Sequence, residues 1–189
     1  MSQPRQIRNL ALIGFMGTGK STVGNITARH LRFRYVDSDA LIESRVGRPI
    51  REIFAQEGEA WFREQERQLV AEFATYNQTV FATGGGLAAN GDNLASLKQH
   101  ALVVCLWASP DTIWERVKRR SHRPLLQTPD PKASVQQLLA KRIPFYRQAD
   151  VLINTEQRSL RQVVQNVLHQ FHLATTAQPA RPGTLTVLV

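Results

Sequence analysis

Cysteine is all but missing from this 189-residue chain, where Cys105 stands alone. One thiol cannot close an internal disulfide, so the fold must be held by its core. Cys105 itself lies inside the apolar run "ALVVCLW", where a thiol behaves as a small buried hydrophobe. Long apolar runs are missing too: none approaches the roughly 20 residues that a membrane-spanning helix requires. Aromatic residues make up only 7% of the chain. They are not interleaved with the basic residues between Arg116 and Arg147 in the way that base stacking by a single-strand binder requires. Acidic residues are in the minority, with 15 Asp and Glu against 24 Lys and Arg, a formal charge of +9. That excess could neutralise nucleic-acid phosphates, and it would serve a small anionic ligand equally well. The remaining composition, 42% hydrophobic and 21% charged, is that of a soluble globular protein. The first apolar run begins at Asn9 and leaves no room for a secretory signal or transit peptide, so a cytosolic location is expected.

A chain of this length is expected to form one domain that buries roughly 70% of its unfolded surface. Short apolar runs bounded by turn residues occur at 9–14, 34–37, 79–84, 101–107 and 150–154, and each reads as a buried strand. Helical spacing fills the intervals from Lys20 to Leu31, Ala40 to Arg45, Glu59 to Ala74, Asp92 to Gln99, Asp111 to Arg119, Ser134 to Gln148 and Leu160 to Phe171. This alternation predicts an α/β fold with a five-stranded parallel sheet covered on both faces. Residues 121–133 carry three prolines and read as a mobile surface loop. Residues 174–189 read as a loose tail, with the apolar end "LTVLV" either an edge strand or a stray segment.

Immediately after the first strand comes "GFMGTGKS", residues 14–21, which fits G-x-x-x-x-G-K-[ST] in the context of strand before and helix after. Glycines let successive N–H groups turn inward toward phosphate oxygens, and the helix that follows adds its positive N-terminal end. Lys20 then reaches the β- and γ-phosphates, while the Ser21 hydroxyl is suited to Mg²⁺. Such a loop serves GTPases, ATPases, motors and small-molecule kinases alike, so the rest of the chain must identify the acceptor.

The second strand ends in "VDSDALIE", which places Asp37 and Asp39 at the carboxyl end of a parallel sheet, where such sheets bind ligands. One carboxylate can hold a metal's water shell while the other meets a substrate hydroxyl. Asp39 is alternatively the N-cap of the next helix. In "EGEAWFREQERQLV", Arg63 and Glu66 lie three apart on one helix face, and taken alone they read as a surface ion pair worth a few tenths of a kcal/mol. The third strand runs into "ATGGG". Three consecutive glycines suggest backbone brought close to a ligand, against the alternative of a hinge.

The ordered set "GFMGTGKS", "DSD", "FREQE", "TGGG", "RPLL" and "RIPFYRQAD" resembles shikimate kinase over residues 8 to 172. The combination is far more specific than any one member. The resemblance implies a P-loop NTPase-type fold of the nucleoside-monophosphate-kinase kind: a five-stranded parallel sheet, a substrate-binding helical section and a mobile lid. It implies one domain over 1–173 with the lid at about 119–133. It also implies ATP as co-substrate, Mg²⁺ as metal and shikimate as the acceptor, phosphorylated on its 3-hydroxyl. The phosphates would be held by Gly17, Thr18, Gly19, Lys20, Ser21 and Thr22, with Ser21 and Asp37 in the metal's environment. Asp39 would meet the shikimate hydroxyls, including the attacking one. Arg63 and Arg142 would clamp the carboxylate, Glu66 would orient Arg63, and Gly84, Gly85 and Gly86 would line the pocket. Arg123 of "RPLL" would be the lid arginine at the transferring phosphoryl group, and Arg116 would lie against the adenine. The catalytic set is thus Lys20, Asp39 and Arg123.

Physical chemistry agrees with these roles. Two arginines offer a small carboxylate planar donors that lysine cannot match. Phosphoryl transfer relies mainly on positioning and charge neutralisation, and a lid that excludes water limits futile hydrolysis. Expected partners are the small-molecule acceptor alone, with no nucleic acid and no membrane, and a monomer is the default. Two other readings use the same residues: a kinase of another small acceptor such as gluconate or a nucleoside monophosphate, and a nucleotide-dependent nucleic-acid-binding protein.

Overall fold

Strand β1 (Asn9–Ile13) is buried at every position, and its alternate side chains feed two separate cores. Ala11 and Ile13 join one hydrophobic cluster, Leu10 and Leu12 the other. Successive side chains of a strand point to opposite faces, so a strand used in this way has helices on both sides. The computed structural model describes residues 5–118, 129–176 and 186–188.

Among these residues one sheet is present, in the order β2-β3-β1-β4-β5-β6. Its strands are β1, β2 (Arg34–Asp37), β3 (Thr79–Ala82), β4 (Ala101–Trp107), β5 (Val151–Asn154) and β6 (Thr186–Leu188), and every pairing is parallel. The five expected strands appear close to their expected bounds. The sixth decides between the two readings of the tail's apolar end in favour of an edge strand: Thr186–Leu188 lies beside β5, pairing Val151 with Thr186 and Ile153 with Leu188. The physical reason is that β5 without it would present an unpaired edge, which a short β-prone segment can cover.

The helices are α1 (Lys20–Leu31), α2 (Ser38–Val46), α3 (Ile50–Gln56), α4 (Gly58–Phe73), α5 (Gly91–His100), α6 (Pro110–Val117), α7 (Pro131–Tyr146) and α8 (Leu160–Thr176). α8 runs past the expected domain end at residue 173. α3 was not among the expected helices. Val23 and Ala28 of α1 pack with Val163, Val164, Val167 and Phe171 of α8 on one face of the sheet. The other face is covered mainly by α2, α3, α4, α5 and α7.

Because β1 lies between β3 and β4, the connection from β1 to β2 runs toward one edge of the sheet and the connection from β3 to β4 runs toward the other. The crevice this opens at the carboxyl ends of the strands is where such sheets receive ligands. It gathers the segments that follow β1, β2, β3 and β5.

The opposite end of the sheet is closed by buried polar groups. Asn9 accepts from the Thr79 N–H (3.0 Å), which orients its amide so that Nδ2 donates to the Tyr76 carbonyl (2.7 Å) and to His100 Nδ1 (3.1 Å). The ring proton therefore sits on His100 Nε2, which is buried without a hydrogen-bond partner. Burial, and then the neighbouring Arg8 and Arg5 charges, push this imidazole down to about 4. The unfolded chain takes up the proton more readily, so stability should fall as pH drops from 6.5 toward about 4. His100→Gln is expected to remove that part of the acid slope in urea unfolding, and an unchanged slope would assign the acid sensitivity to other groups.

Candidate active site

The turn out of β1 is built by close approach. Gly14 has φ 130°, and a Cβ placed on it would stand 2.1 Å from the Leu106 carbonyl of β4. Only glycine fits there. The loop then closes on itself, with the Phe15 carbonyl accepting from Thr18 Oγ1 (2.8 Å) and from Lys20 Nζ (2.8 Å). Lys20 is 9% exposed, so its ammonium is held at the loop rather than solvated. α1 has Gly19 as its N-cap, without a side-chain cap and without an acidic residue in its first turn. Its N-terminal N–H groups and positive dipole end therefore meet no competing carboxylate from α1 itself. Gly17, Thr18, Gly19, Lys20, Ser21 and Thr22 all belong to this loop and first turn.

Asp37 and Asp39 have divided their roles differently from the capping alternative. Asp37 is the N-cap of α2: its Oδ1 accepts from the N–H groups of Asp39 (3.1 Å) and Ala40 (3.3 Å). Its Oδ2 accepts from the hydroxyl of Ser21 at 2.8 Å and from that of Tyr35 at 3.2 Å. The two residues expected around a metal are thus in direct contact. Asp39 turns instead to the third strand's loop, where a Cβ on Gly84 would lie 2.2 Å from its Oδ1 and 3.1 Å from Glu66 Oε1. The Gly84 N–H donates to Ser38 Oγ at 2.7 Å, which ties this loop to the start of α2.

Glu66 is not the surface partner that its spacing suggested. Its side chain is 1% exposed and accepts from Arg63 Nη1 at 2.6 Å, while Glu59 holds the other edge of the same guanidinium at 2.7 Å. Burial raises the Glu66 carboxyl above its ordinary range, and the Arg63 charge offsets this only in part. Glu66 Oε1 lacks a hydrogen-bond partner. Arg142 reaches the site from α7, 8% exposed, with its guanidinium 5.5 Å from the centre of the Phe15 ring. The glycine run faces these groups in turn. Gly84 meets Asp39 and Glu66, Gly85 meets Arg142 (3.3 Å from a built Cβ to Nη1), and Gly86 meets Arg63 (2.3 Å). Any larger side chain would fill the space these four residues enclose.

Tyr146 was missed in the sequence. It lies one helical turn beyond Arg142, and its hydroxyl donates to the Gly85 carbonyl at 2.6 Å, which fixes the glycine run against α7. The i, i+4 spacing from Arg142 was the available signal.

At the other end of the phosphate loop, Arg116 forks onto the segment after β5. Its Nη1 donates to Thr155 Oγ1 (2.8 Å) and to the Gly17 carbonyl (3.4 Å), and its Nη2 donates to the Thr155 carbonyl (2.8 Å). Thr155 in turn donates to the Trp107 carbonyl at 3.1 Å. Next to it, Glu156 accepts from the Ser109 N–H at 2.8 Å. Hydrogen bonds from Ser109 and Thr112 bring its carboxyl down to about 2. Through Arg116, Thr155 connects the segment that follows β5 to the phosphate loop. Arg123 and most of the expected lid lie outside the described residues.

Comparison with known proteins matches the same stretch of chain. The family model for shikimate kinase matches residues 16–172. A shikimate kinase of Thermodesulfovibrio yellowstonii is 39% identical over 165 residues, covering 87% of this chain and 95% of its own. A Synechococcus shikimate kinase is 47% identical over 159 residues, covering 81% and 84%. Among solved structures, shikimate kinase from Acinetobacter baumannii in complex with shikimate superposes with a TM-score of 0.84 at 36% identity, covering 92% of this chain and 97% of that one.

The geometry generates a stability prediction. Tyr146→Phe keeps the ring and leaves the Gly85 carbonyl without its donor, so urea unfolding is expected to show a loss of about 1 kcal/mol. No loss would mean that the hydroxyl does not anchor the glycine run.

Proposed function

The chain belongs to the shikimate kinase family, and from that premise we propose that it transfers the γ-phosphoryl group of ATP to the 3-hydroxyl of shikimate. The products are shikimate 3-phosphate and ADP, on the route to chorismate and the aromatic amino acids. The observation that supports this most is the convergence of Arg63, Arg142, Glu66 and Asp39 on Gly84–Gly86, beside the phosphate loop. Two cations and two carboxylates around one glycine-lined space suit a small polyhydroxylated carboxylic acid.

In this reading Arg63 and Arg142 bind the shikimate carboxylate through planar, charge-assisted hydrogen bonds. Glu66 and Glu59 hold the Arg63 guanidinium from two sides, so little freedom is lost when the substrate docks. The hydroxyls then face Asp39, whose carboxylate orients the attacking oxygen and takes up its proton late in the transfer. Lys20 and the N–H groups of residues 17–22 bear the phosphate charge, with Arg123 as the lid arginine. Arg116 and the loop at Thr155 border the adenine. Most of the rate enhancement then comes from alignment and charge, as this reaction class requires.

The oxygens available at Ser21 and Asp37 fit Mg²⁺, a hard cation that takes one or two protein oxygens and completes its shell with phosphates and water. Among the described residues no group of three or more His, Cys, Asp or Glu could hold a metal by itself. That agrees with a cation that arrives with the nucleotide. When bound, Mg²⁺ would neutralise charge developing on the phosphates.

We take the protein to be a single cytoplasmic domain, the expected unit over 1–173 continued by the end of α8 and by β6, that acts as a monomer and binds neither nucleic acid nor membrane. No described helix is long and apolar enough to cross a membrane. Many of its cations are already matched within the chain: Arg5, Arg45, Arg48, Arg67, Lys98, Lys118 and Lys132 each pair with a carboxylate.

The deciding assay couples ADP release to a visible signal in the presence of ATP, Mg²⁺ and shikimate, with gluconate, nucleoside monophosphates and no acceptor as controls. Shikimate-dependent turnover is expected, and turnover with another acceptor alone would overturn the assignment. Calorimetry divides the two halves of the site. Arg63→Ala should weaken shikimate binding by at least about tenfold while leaving nucleotide affinity nearly intact, and Lys20→Ala should do the reverse and abolish most turnover. Equal loss of both ligands in the Arg63 variant would contradict its role.

A further inference from the structure

Asp37 is held by more partners than a capping residue needs. Oδ1 is committed to α2 through the Asp39 and Ala40 N–H groups. Oδ2 receives two hydroxyl hydrogens, from Ser21 and from Tyr35. A serine hydroxyl has one hydrogen, and when it is given to Asp37 the oxygen's lone pairs are left for a cation. The direction of the Ser21 hydroxyl is therefore set by Asp37 Oδ2. Ser21 itself is exposed, so it cannot supply that constraint.

Tyr35 can. Its ring packs against the Leu10–Leu12 core, and a Cβ on Gly24 of α1 would stand 3.0 Å from its Cε2, so the ring is seated where α1 comes closest. The hydroxyl at the end of that rigid ring reaches Asp37 Oδ2 at 3.2 Å.

We propose that Tyr35 is a positioning residue for the divalent cation: by holding Asp37 Oδ2 it fixes the Ser21 hydroxyl in the orientation that ligates the metal, and so raises metal affinity without touching the nucleotide. The inference rests on the reading of Ser21 and Asp37 as the metal's environment. Outer partners of this kind orient the ligand, and their loss weakens the metal rather than the fold.

The test uses Mn²⁺ as the probe, with free Mn²⁺ followed by electron paramagnetic resonance as it is titrated into the full chain saturated with ADP. Tyr35→Phe keeps the ring and its packing. It is expected to raise the Mn²⁺ dissociation constant roughly tenfold, the low end for an outer partner, and to leave metal-free ADP affinity within about twofold, since it removes no phosphate contact. Asp37→Asn should weaken Mn²⁺ by itself, and adding Tyr35→Phe to it should do no more, because the two act through one interaction. If Asp37→Asn leaves Mn²⁺ affinity unchanged, the reading of the metal environment fails and the proposal falls with it. If Asp37→Asn weakens Mn²⁺ and Tyr35→Phe does not, the proposal alone is overturned. It is likewise overturned if Tyr35→Phe weakens Mn²⁺ equally in the Asp37→Asn background, or weakens metal-free ADP to the same extent.

Discussion

The pairing of β1 with β3 on one side and β4 on the other is the constraint on which the site depends. Leu12 lies opposite Ala82 and Val104, so the phosphate loop leaves the sheet level with the glycine run and against the end of β4. The Leu12 carbonyl accepts from the Thr83 N–H at 3.1 Å, which fixes the distance between the two loops at their roots. Gly14 then passes so close to the Leu106 carbonyl that no side chain is tolerated. A shift of one residue in this register would turn every core side chain of β1 to the wrong face, so the site inherits its precision from the sheet's own burial.

On that frame the electrostatics are arranged by burial. A solvated Arg63–Glu66 pair would contribute little, but here the carboxylate is enclosed, and removing its partner would leave a charge without compensation. The same enclosure orients the Arg63 guanidinium before any acceptor arrives. Arg142, stacked on Phe15 of the phosphate loop, links the acceptor end to the nucleotide end through one aromatic ring. Arg116 does the corresponding task at the far end, joining Gly17 to Thr155. Arg142 thus ties the two halves of the site together, while Arg116 braces the nucleotide half within itself.

Much of this was legible in the linear chain. The five principal strands, the main helices and the phosphate loop follow from short apolar runs, helical periodicity and glycine placement, all local properties. Asp37, Asp39, Arg63, Glu66 and Gly84–Gly86 stood out as residue types at suggestive spacings. The misses have particular causes. α3 was not read from its seven residues, the choice between edge strand and stray segment for β6 depends on an edge that exists only after the sheet has formed, and Asp37 rather than Asp39 caps α2 because the chain leaves β2 in extended conformation at residue 37. Tyr35, Tyr146 and Thr155 were not singled out, since each matters through hydrogen bonds that exist only once the chain has folded.

By itself, then, the amino-acid order determined the element types, the parallel α/β architecture and the phosphate loop, because these follow from contacts between residues near one another in the chain. Only the tertiary structure decided that Glu66 is buried, that Ser21, Tyr35 and Asp37 share one oxygen, and that each glycine of the third loop faces a different charged group. These depend on sheet register and helix packing over separations of up to about 60 residues, where burial and hydrogen-bond geometry are set by the assembled core and leave no periodic trace in sequence.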